Sequence, residues 1–249
     1  MEPLKIQYRF RLKDQPDEVF ELNIDPQTLS IQNPPPASQP EWTRLEFFQC
    51  PNCPLIPAES PNCPLASQLV GLVSRFSRIL SYDRIEVEFR SQERKISQAT
   101  TAQRGLRSLM GLIIAVSDCP HTVFFKPMAR FHLPFSDEIE TIYRATSMYL
   151  LGQYFIKQRK GKPDLKLKGL SLIYHNLHMV NTSIAHRLRN ASQSDSMVNA
   201  IVLLDMFTKS LPKAIEDSLE EIEYLFSPFL KRKMKRRLFK KRKKSNKIR

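Results

Sequence analysis

The chain contains four cysteines, and a proline follows each of them directly. Cys50, Cys53 and Cys63 lie in the stretch CPNCPLIPAESPNCPL, in which PNCPL occurs twice, and Cys119 lies downstream in DCPHT. With 18 prolines in 249 residues, such pairing at every cysteine has a chance probability on the order of one in tens of thousands. Proline restricts the backbone and stiffens a loop. The pattern therefore indicates that stiff loops hold the four thiols in place, and ligation of a metal is the role that best explains it.

The spacing of these thiols is compatible with more than one metal. Cys50 and Cys53 have the two-residue gap with which one turn presents two thiolates. Cys63 and Cys119 would complete a four-ligand zinc site, with His121 as a substitute ligand. An iron–sulfur cluster held by four thiolates is the alternative. A third interpretation is that these cysteines are small apolar core residues. We favour structural zinc.

A second candidate site combines one carboxylate, two imidazoles and several guanidiniums that are close in sequence. It comprises Asp118, His121, Arg130 and His132, with Arg104 and Arg107 on the preceding predicted helix. Such a set could bind an anionic cofactor or perform acid–base chemistry. We expect Arg130 and His132 to face the same polar site as His121 and to orient the ligand loop. The alternative is that these side chains only bind backbone carbonyls.

The basic residues of the chain are concentrated at its end. Residues 231–249 contain 13 of the 39 Lys and Arg and no acid, which leaves 26 basic and 25 acidic residues elsewhere. Such a tail is expected to be disordered unless bound, and to bind nucleic acid nonspecifically through phosphates. An anionic membrane surface is the alternative partner, because a basic helix there would carry an apolar stripe. That stripe would consist of Leu230, Met234, Leu238 and Phe239. A third interpretation is a solubilising tail without a dedicated partner.

Composition excludes several classes of protein. Glycine is scarce, with 6 residues, and no Walker-type or dinucleotide-binding glycine pattern is present. The longest apolar run, LIIAV at 112–116, is too short to span a bilayer. The first residues lack the apolar segment of a signal peptide. We therefore expect a cytoplasmic protein with reduced cysteines.

The period of the apolar residues divides the chain into a β-rich part and a helical part. In residues 1–98, LKIQYRFRL, EVFELNI and RIEVEFR alternate as strands do, WTRLEFF is a further candidate strand, and LASQLVGLVSRFSRIL has helical spacing. In residues 99–230 the spacing is helical throughout, and the segment at 136–156 is apolar nearly all round, so we expect it to be buried. Two further helices are predicted, one near 195–209 and one from Ser210.

These patterns predict an α+β fold. It consists of a small N-terminal antiparallel β-sheet with one helix (1–98), a C-terminal helical bundle (99–230) and a disordered basic tail (231–249).

Several of the motifs occur together in one known family. CPNCPL, CPLA, DCPHT, MARFHLPF, ATSMYLLGQYF and VNAIVLLDMF resemble an uncharacterised bacterial family, a domain of unknown function. The resemblance covers roughly residues 1–230 and leaves the tail outside. It implies a bacterial, cytoplasmic protein and no particular reaction.

The sequence therefore predicts an intracellular, structural-zinc protein whose basic tail binds nucleic acid. The first alternative is an iron–sulfur or other metalloenzyme with an anion-binding pocket around Asp118, His121, Arg130 and His132. The second alternative is a protein of the anionic membrane surface.

Overall fold

The computed structural model describes residues 2–12, 15–34, 38–77, 79–191, 195–202, 204–205, 219–220 and 222–230. The basic tail at 231–249 lies outside the described residues, as does most of the helix that was expected from Ser210.

The N-terminal part forms a four-stranded antiparallel sheet. Its strands are β1 (Leu4–Arg11), β2 (Glu18–Ile24), β3 (Arg84–Arg90) and β4 (Lys95–Thr101), in the order β2-β1-β3-β4. In the central strand β1, Ile6, Tyr8 and Phe10 are buried while their neighbours stay accessible. The alternation in the sequence therefore corresponds to a sheet with one face in the core.

Helices make up most of the remaining described residues. They are α1 (Pro64–Arg75), α2 (Ala102–Val116), α3 (Lys126–Arg130), α4 (Glu138–Gln158) and α5 (Lys168–Ala191), with 3-10 turns at Glu41–Thr43, Val123–Phe125 and Glu223–Phe226. Residues 196–202 and 204–205 are also helical. The α+β class is confirmed. None of the helices in the described part of the chain combines the length and the apolar character needed to cross a membrane.

The long helix α2 packs closely against the sheet at Gly105. A Cβ atom at this position would lie 2.8 Å from Cγ2 of Val87 and 3.2 Å from Cε1 of Phe10. Glycine is therefore required by the close approach of the helix to the strands. Buried residues of the strands, α1, α2 and α5 form one continuous hydrophobic cluster.

The segment WTRLEFF was predicted to be a strand, and that prediction is wrong. It begins as the 3-10 turn Glu41–Thr43, makes one isolated antiparallel bridge between Arg44 and Asn62, and continues in turns. The carbonyls of Trp42, Arg44 and Leu45 accept hydrogen bonds from one side chain, that of Arg187, instead of from a neighbouring strand. An arginine from a distant helix thus satisfies the backbone groups that a strand would have paired.

Helix α4 was expected to be buried, but much of its apolar surface is exposed. Its buried positions are Ile142, Ala145, Thr146 and Gln153, and its exposed side chains include Leu151, Tyr154 and Phe155. The helix begins at Glu138, and its N-cap Asp137 forms a reciprocal capping box with Glu140.

Candidate functional site

Cys50 and Cys53 lie on one tight turn. The backbone N–H of Cys53 donates to the oxygen of Cys50 over 2.9 Å. His121 Nε2 donates to the backbone oxygen of Asn52 over 2.7 Å, and the Asn52 amide donates to Asn176 Oδ1 over 3.2 Å. The turn that carries both thiols is thus anchored to the loop after α2 and to α5.

Cys63 is the N-cap residue of α1 and is buried. Its backbone N–H donates to the oxygen of Thr43 over 2.7 Å. Burial raises the pKa of the Cys63 thiol, and the backbone N–H groups of Ala66 and Leu65 oppose this effect by favouring the thiolate. The N-terminus of α1 therefore holds Cys63 beside the turns that follow Trp42.

Cys119 follows α2 and is also buried. The preceding residue, Asp118, has a left-handed backbone with φ of 62°, and Thr122 N–H donates to the oxygen of Cys119 over 2.9 Å. Burial raises the pKa of Cys119 to about 12, and the backbone N–H of His121 lowers it by a smaller amount. At neutral pH the free thiol is therefore protonated.

The four thiols share one neighbourhood. Negative charge on Cys63, Cys50 and Cys53 would raise the pKa of Cys119, and charge on Cys63 and Cys53 would raise that of Cys50. All four are free of disulfides. However, among the residues that the structure describes, no three His, Cys, Asp or Glu side chains are grouped so that they could hold a metal ion as they stand. The predicted ligands are brought near one another without forming a coordination shell.

A buried guanidinium lies beside these thiols. Arg187 in α5 is 1% exposed and donates to the oxygens of Trp42, Arg44 and Leu45 over 2.7, 2.7 and 2.9 Å. Its Nε atom has no hydrogen-bond partner. Burial lowers its pKa, whereas negative charge on Cys63, Cys50 and Cys53 would raise it. Within the described ranges, no carboxylate forms an ion pair with Arg187.

One face of α5 lines this region with polar side chains. Asn176 contacts the cysteine turn, the Ser183 hydroxyl favours the thiolate of Cys50, and Arg187 follows one turn later. Sequence reasoning missed Arg187. Its spacing from Val180 and Ile184 places it on the buried stripe of the helix, and this was the available signal.

The residues of the second predicted site are distributed over separate places. Asp118 accepts hydrogen bonds from Ser30 Oγ and Lys126 Nζ over 2.6 and 2.8 Å, whereas His121 contacts the cysteine turn. Arg130 is exposed, with its guanidinium 5.4 Å from the centre of the Phe131 ring. The structure does not bring Arg130 to His121.

His132 belongs to a buried hydrogen-bond network. Its Nε2 lies 2.6 Å from the Tyr8 hydroxyl, which lies 2.8 Å from Ser108 Oγ, and Phe135 N–H donates to Ser108 Oγ over 3.2 Å. Burial, with a smaller contribution from Arg144, lowers the pKa of His132 to about 3. The imidazole ring and the Tyr8 phenol, whose pKa burial raises, are therefore both neutral at neutral pH, and the ring tautomer determines which of them donates the hydrogen bond.

Two of the predicted anion-binding residues border the same cavity. Arg107 and His132 line it, with groups from α2, α4 and α5. Arg104 lies on the same helix as Arg107 but is exposed and does not line the cavity, and neither does Arg130.

Comparison with known proteins identifies a family and no activity. No curated protein and no solved structure matches the chain. A family model described as a domain of unknown function, DUF6901, matches residues 6–227. The match includes all four cysteines, and it leaves out residues 231–249. By this match the chain belongs to the DUF6901 family.

Proposed function

We propose that this protein is a metal-binding protein in which Cys50, Cys53, Cys63 and Cys119 hold one structural zinc ion. The observation that carries the proposal is the approach of three free thiols, Cys50, Cys53 and Cys63, to one buried arginine, with the free thiol of Cys119 near the same three. The ion would join the loop before α1 to the end of α2, and its binding energy would contribute to folding.

Charge balance supports this proposal. Four thiolates around one divalent ion carry a net charge of about −2. Burying a cation without an anionic partner costs roughly several kcal/mol of folding free energy, even after the surrounding protein relaxes. The guanidinium of Arg187 is such a cation among the described residues, and a thiolate centre would supply the missing negative charge. Arg187 would in turn orient the cysteine loop, since it also binds the carbonyls of Trp42 and Leu45.

Metal binding would have to draw the four sulfurs closer than they lie here. The raised pKa of Cys50, Cys63 and Cys119 means that these thiols are protonated at neutral pH when free. Ligation replaces those protons, so the affinity for zinc is expected to rise with pH. The same thiols could hold an iron–sulfur cluster, which remains the alternative cofactor.

Elemental analysis of protein purified without air tests the metal proposal. We expect about one zinc per chain, and we expect Cys53→Ser to lose it and to melt several degrees lower. Glu59→Gln, an exposed change in the same loop, is the matched control and should keep the metal. Iron with inorganic sulfide would indicate the cluster instead. Unchanged metal content and melting temperature in Cys53→Ser would rule out the site.

We also propose that the tail at 231–249 binds nucleic acid nonspecifically. The tail carries 13 Lys and Arg and no acid, whereas the rest of the chain has a net charge of +1. We therefore expect the tail to supply most of the attraction to polyanions. With about 6–10 phosphate contacts, affinity should fall by roughly 10³–10⁵ between about 50 and 200 mM salt. The measurement is a salt series of RNA and DNA binding for the full chain and for a chain that ends at Leu230. Equal binding by the two would contradict a role of the tail.

An anionic membrane surface is the second candidate partner, and the end of α4 favours it. Leu151, Tyr154 and Phe155 are exposed there, and the basic segment KQRKGK at 157–162 follows directly. Exposed aromatic side chains beside basic ones are typical of contact with anionic lipid. Binding to anionic vesicles that is lost in Tyr154→Ser/Phe155→Ser would support this candidate, and retention of binding in that variant would count against it.

A further inference from the structure

The cavity between α2, α5 and the loop from α3 to α4 has a volume of about 170 Å³. Much of its wall is apolar and includes Leu112, Phe125, Met128 and Leu177. An apolar protein cavity of roughly 150 Å³ accommodates benzene. The cavity therefore has space for a molecule about as large as one substituted aromatic ring.

Two guanidiniums contact the same residue, Ser136, at one side of this cavity. Arg107 Nη2 donates to the backbone oxygen of Ser136 over 3.2 Å, and Arg144 Nη1 lies 3.4 Å from the Ser136 hydroxyl. Arg144 also donates to the oxygens of Met128 and Phe131 over 3.1 and 2.9 Å, which fixes its position. Two positive charges on the wall of one half-buried cavity favour an anion between them.

Two further charged groups among the described residues act on this pair. The exposed Arg104 adds positive charge beside Arg107, and Glu140 acts on Arg144 from the first turn of α4. Glu140 is already bound to the N-cap of its own helix through Asp137 N–H over 3.0 Å. It lies outside the residues that line the cavity.

A further polar group faces the cavity from α5. Asn181 is 1% exposed and lines the cavity, and its Oδ1 atom has no hydrogen-bond partner. An unpaired buried amide oxygen is costly, and a ligand with a hydroxyl or amino donor would satisfy it. Tyr174 and Leu177 precede Asn181 on the same face of the helix and also line the cavity.

We propose that this cavity binds a small organic carboxylate with an apolar or aromatic body, held by Arg107 and Arg144. The body would lie among Phe125, Met128 and Leu177, and a hydrogen-bond donor on the ligand would reach Asn181. The site contains no cysteine, so it is independent of the proposed metal centre.

Titration of the full-length protein with benzoate and 4-hydroxybenzoate, followed by NMR of the backbone amides, tests this site directly. We expect both acids to bind and to shift the amides of α2 and α5 around Gly111 and Leu177. The hydroxyl of 4-hydroxybenzoate tests whether a hydrogen-bond donor on the ligand reaches Asn181. Benzyl alcohol, which has the same ring and no charge, should bind at least roughly tenfold more weakly, because charged hydrogen bonds contribute more than neutral ones. Absence of shifts, shifts elsewhere, or equal binding of benzyl alcohol would overturn the proposal.

Two substitutions sharpen the test. Arg107→Gln should weaken benzoate binding by roughly tenfold or more, whereas Arg104→Gln, on the exposed side of the same helix, should weaken it much less, because Arg104 does not line the cavity. Ala115→Leu would fill part of the cavity and should abolish binding. If the Arg107 and Arg104 variants bind benzoate equally, or if Ala115→Leu still binds it, the assignment of the site is wrong. The amide shifts in the unmodified protein decide the matter if a variant fails to fold.

Discussion

His121 Nε2 lies 2.7 Å from the backbone oxygen of Asn52, a residue 69 positions earlier in the chain. This contact ties the loop of Cys119 to the turn of Cys50 and Cys53. His121 therefore supports the thiol turn as a hydrogen-bond donor, and its role as a substitute ligand stays a prediction.

The first prediction follows from this contact. His121→Ala should keep the bound zinc but lower its affinity by about 10–100-fold, as loss of groups that orient metal ligands does. Competition with a chelator measures this effect, and His175→Ala, an exposed histidine on α5, is the control. Complete loss of zinc in His121→Ala would mean that His121 is itself a ligand.

The second prediction concerns the buried network of Tyr8. Tyr8→Phe removes the hydroxyl that bridges Ser108 and His132, which leaves two buried polar groups short of a partner. We expect the free energy of unfolding to fall by about 1–3 kcal/mol, measured by urea denaturation. Tyr82→Phe, at an exposed tyrosine, should change stability little. Equal stability of the two variants would show that the network contributes nothing.

The third prediction is a pH dependence caused by His132. Its pKa is about 3 in the folded chain against an ordinary value of 6.5, so between these values the unfolded chain binds the extra proton. The contribution of His132 to the free energy of unfolding is fully present above pH 6.5. It is lost as the pH falls toward 3, by at most about 1.4 kcal/mol per pH unit.

Comparison with His132→Gln isolates this contribution. Glutamine offers an oxygen to the Tyr8 hydroxyl but does not titrate. The variant should therefore lose less stability than the unmodified protein between about pH 6.5 and 4.5, and the titration of carboxylates cancels because both proteins share it. Parallel stability curves for the two proteins in this window would contradict the assignment.

The fourth prediction compares two helical glycines. Gly105→Ala should destabilise the fold by about 1–3 kcal/mol, because the added methyl group would overlap Val87 at 2.8 Å, and a β-branched side chain moves with difficulty. Gly71→Ala in α1 meets nothing within 4 Å and should stabilise by roughly 0.5–1 kcal/mol. Thermal unfolding of both variants gives the comparison, and an unchanged or raised melting temperature in Gly105→Ala would show that α2 does not need glycine.

The parts of the fold that were predictable depend on local patterns. The alternation of Ile6, Tyr8 and Phe10 and the helical spacing in α2 and α5 reflect which side of an element is buried, and this is visible within one segment. The start of α4 is equally local, because its N-cap Asp137 and its capping partner Glu140 are only three residues apart.

The parts that could not be predicted depend on distant partners. The turns after Trp42 are held by Arg187, which is 145 positions away, and no pattern within WTRLEFF indicates an arginine as the partner of its carbonyls. The exposure of Tyr154 and Phe155 likewise depends on what packs against α4, not on their own hydropathy. For the same reason, sequence neighbours such as Asp118 and His121 were grouped into one site although their side chains have different partners.

The most direct test of the proposed metal centre is X-ray absorption spectroscopy at the zinc edge on the full-length, zinc-loaded protein. A centre of four thiolates should give four sulfur atoms at about 2.3 Å from zinc, reduced to three in Cys63→Ser. A shell of nitrogen and oxygen atoms, or a chain that retains no zinc at neutral pH, would contradict it.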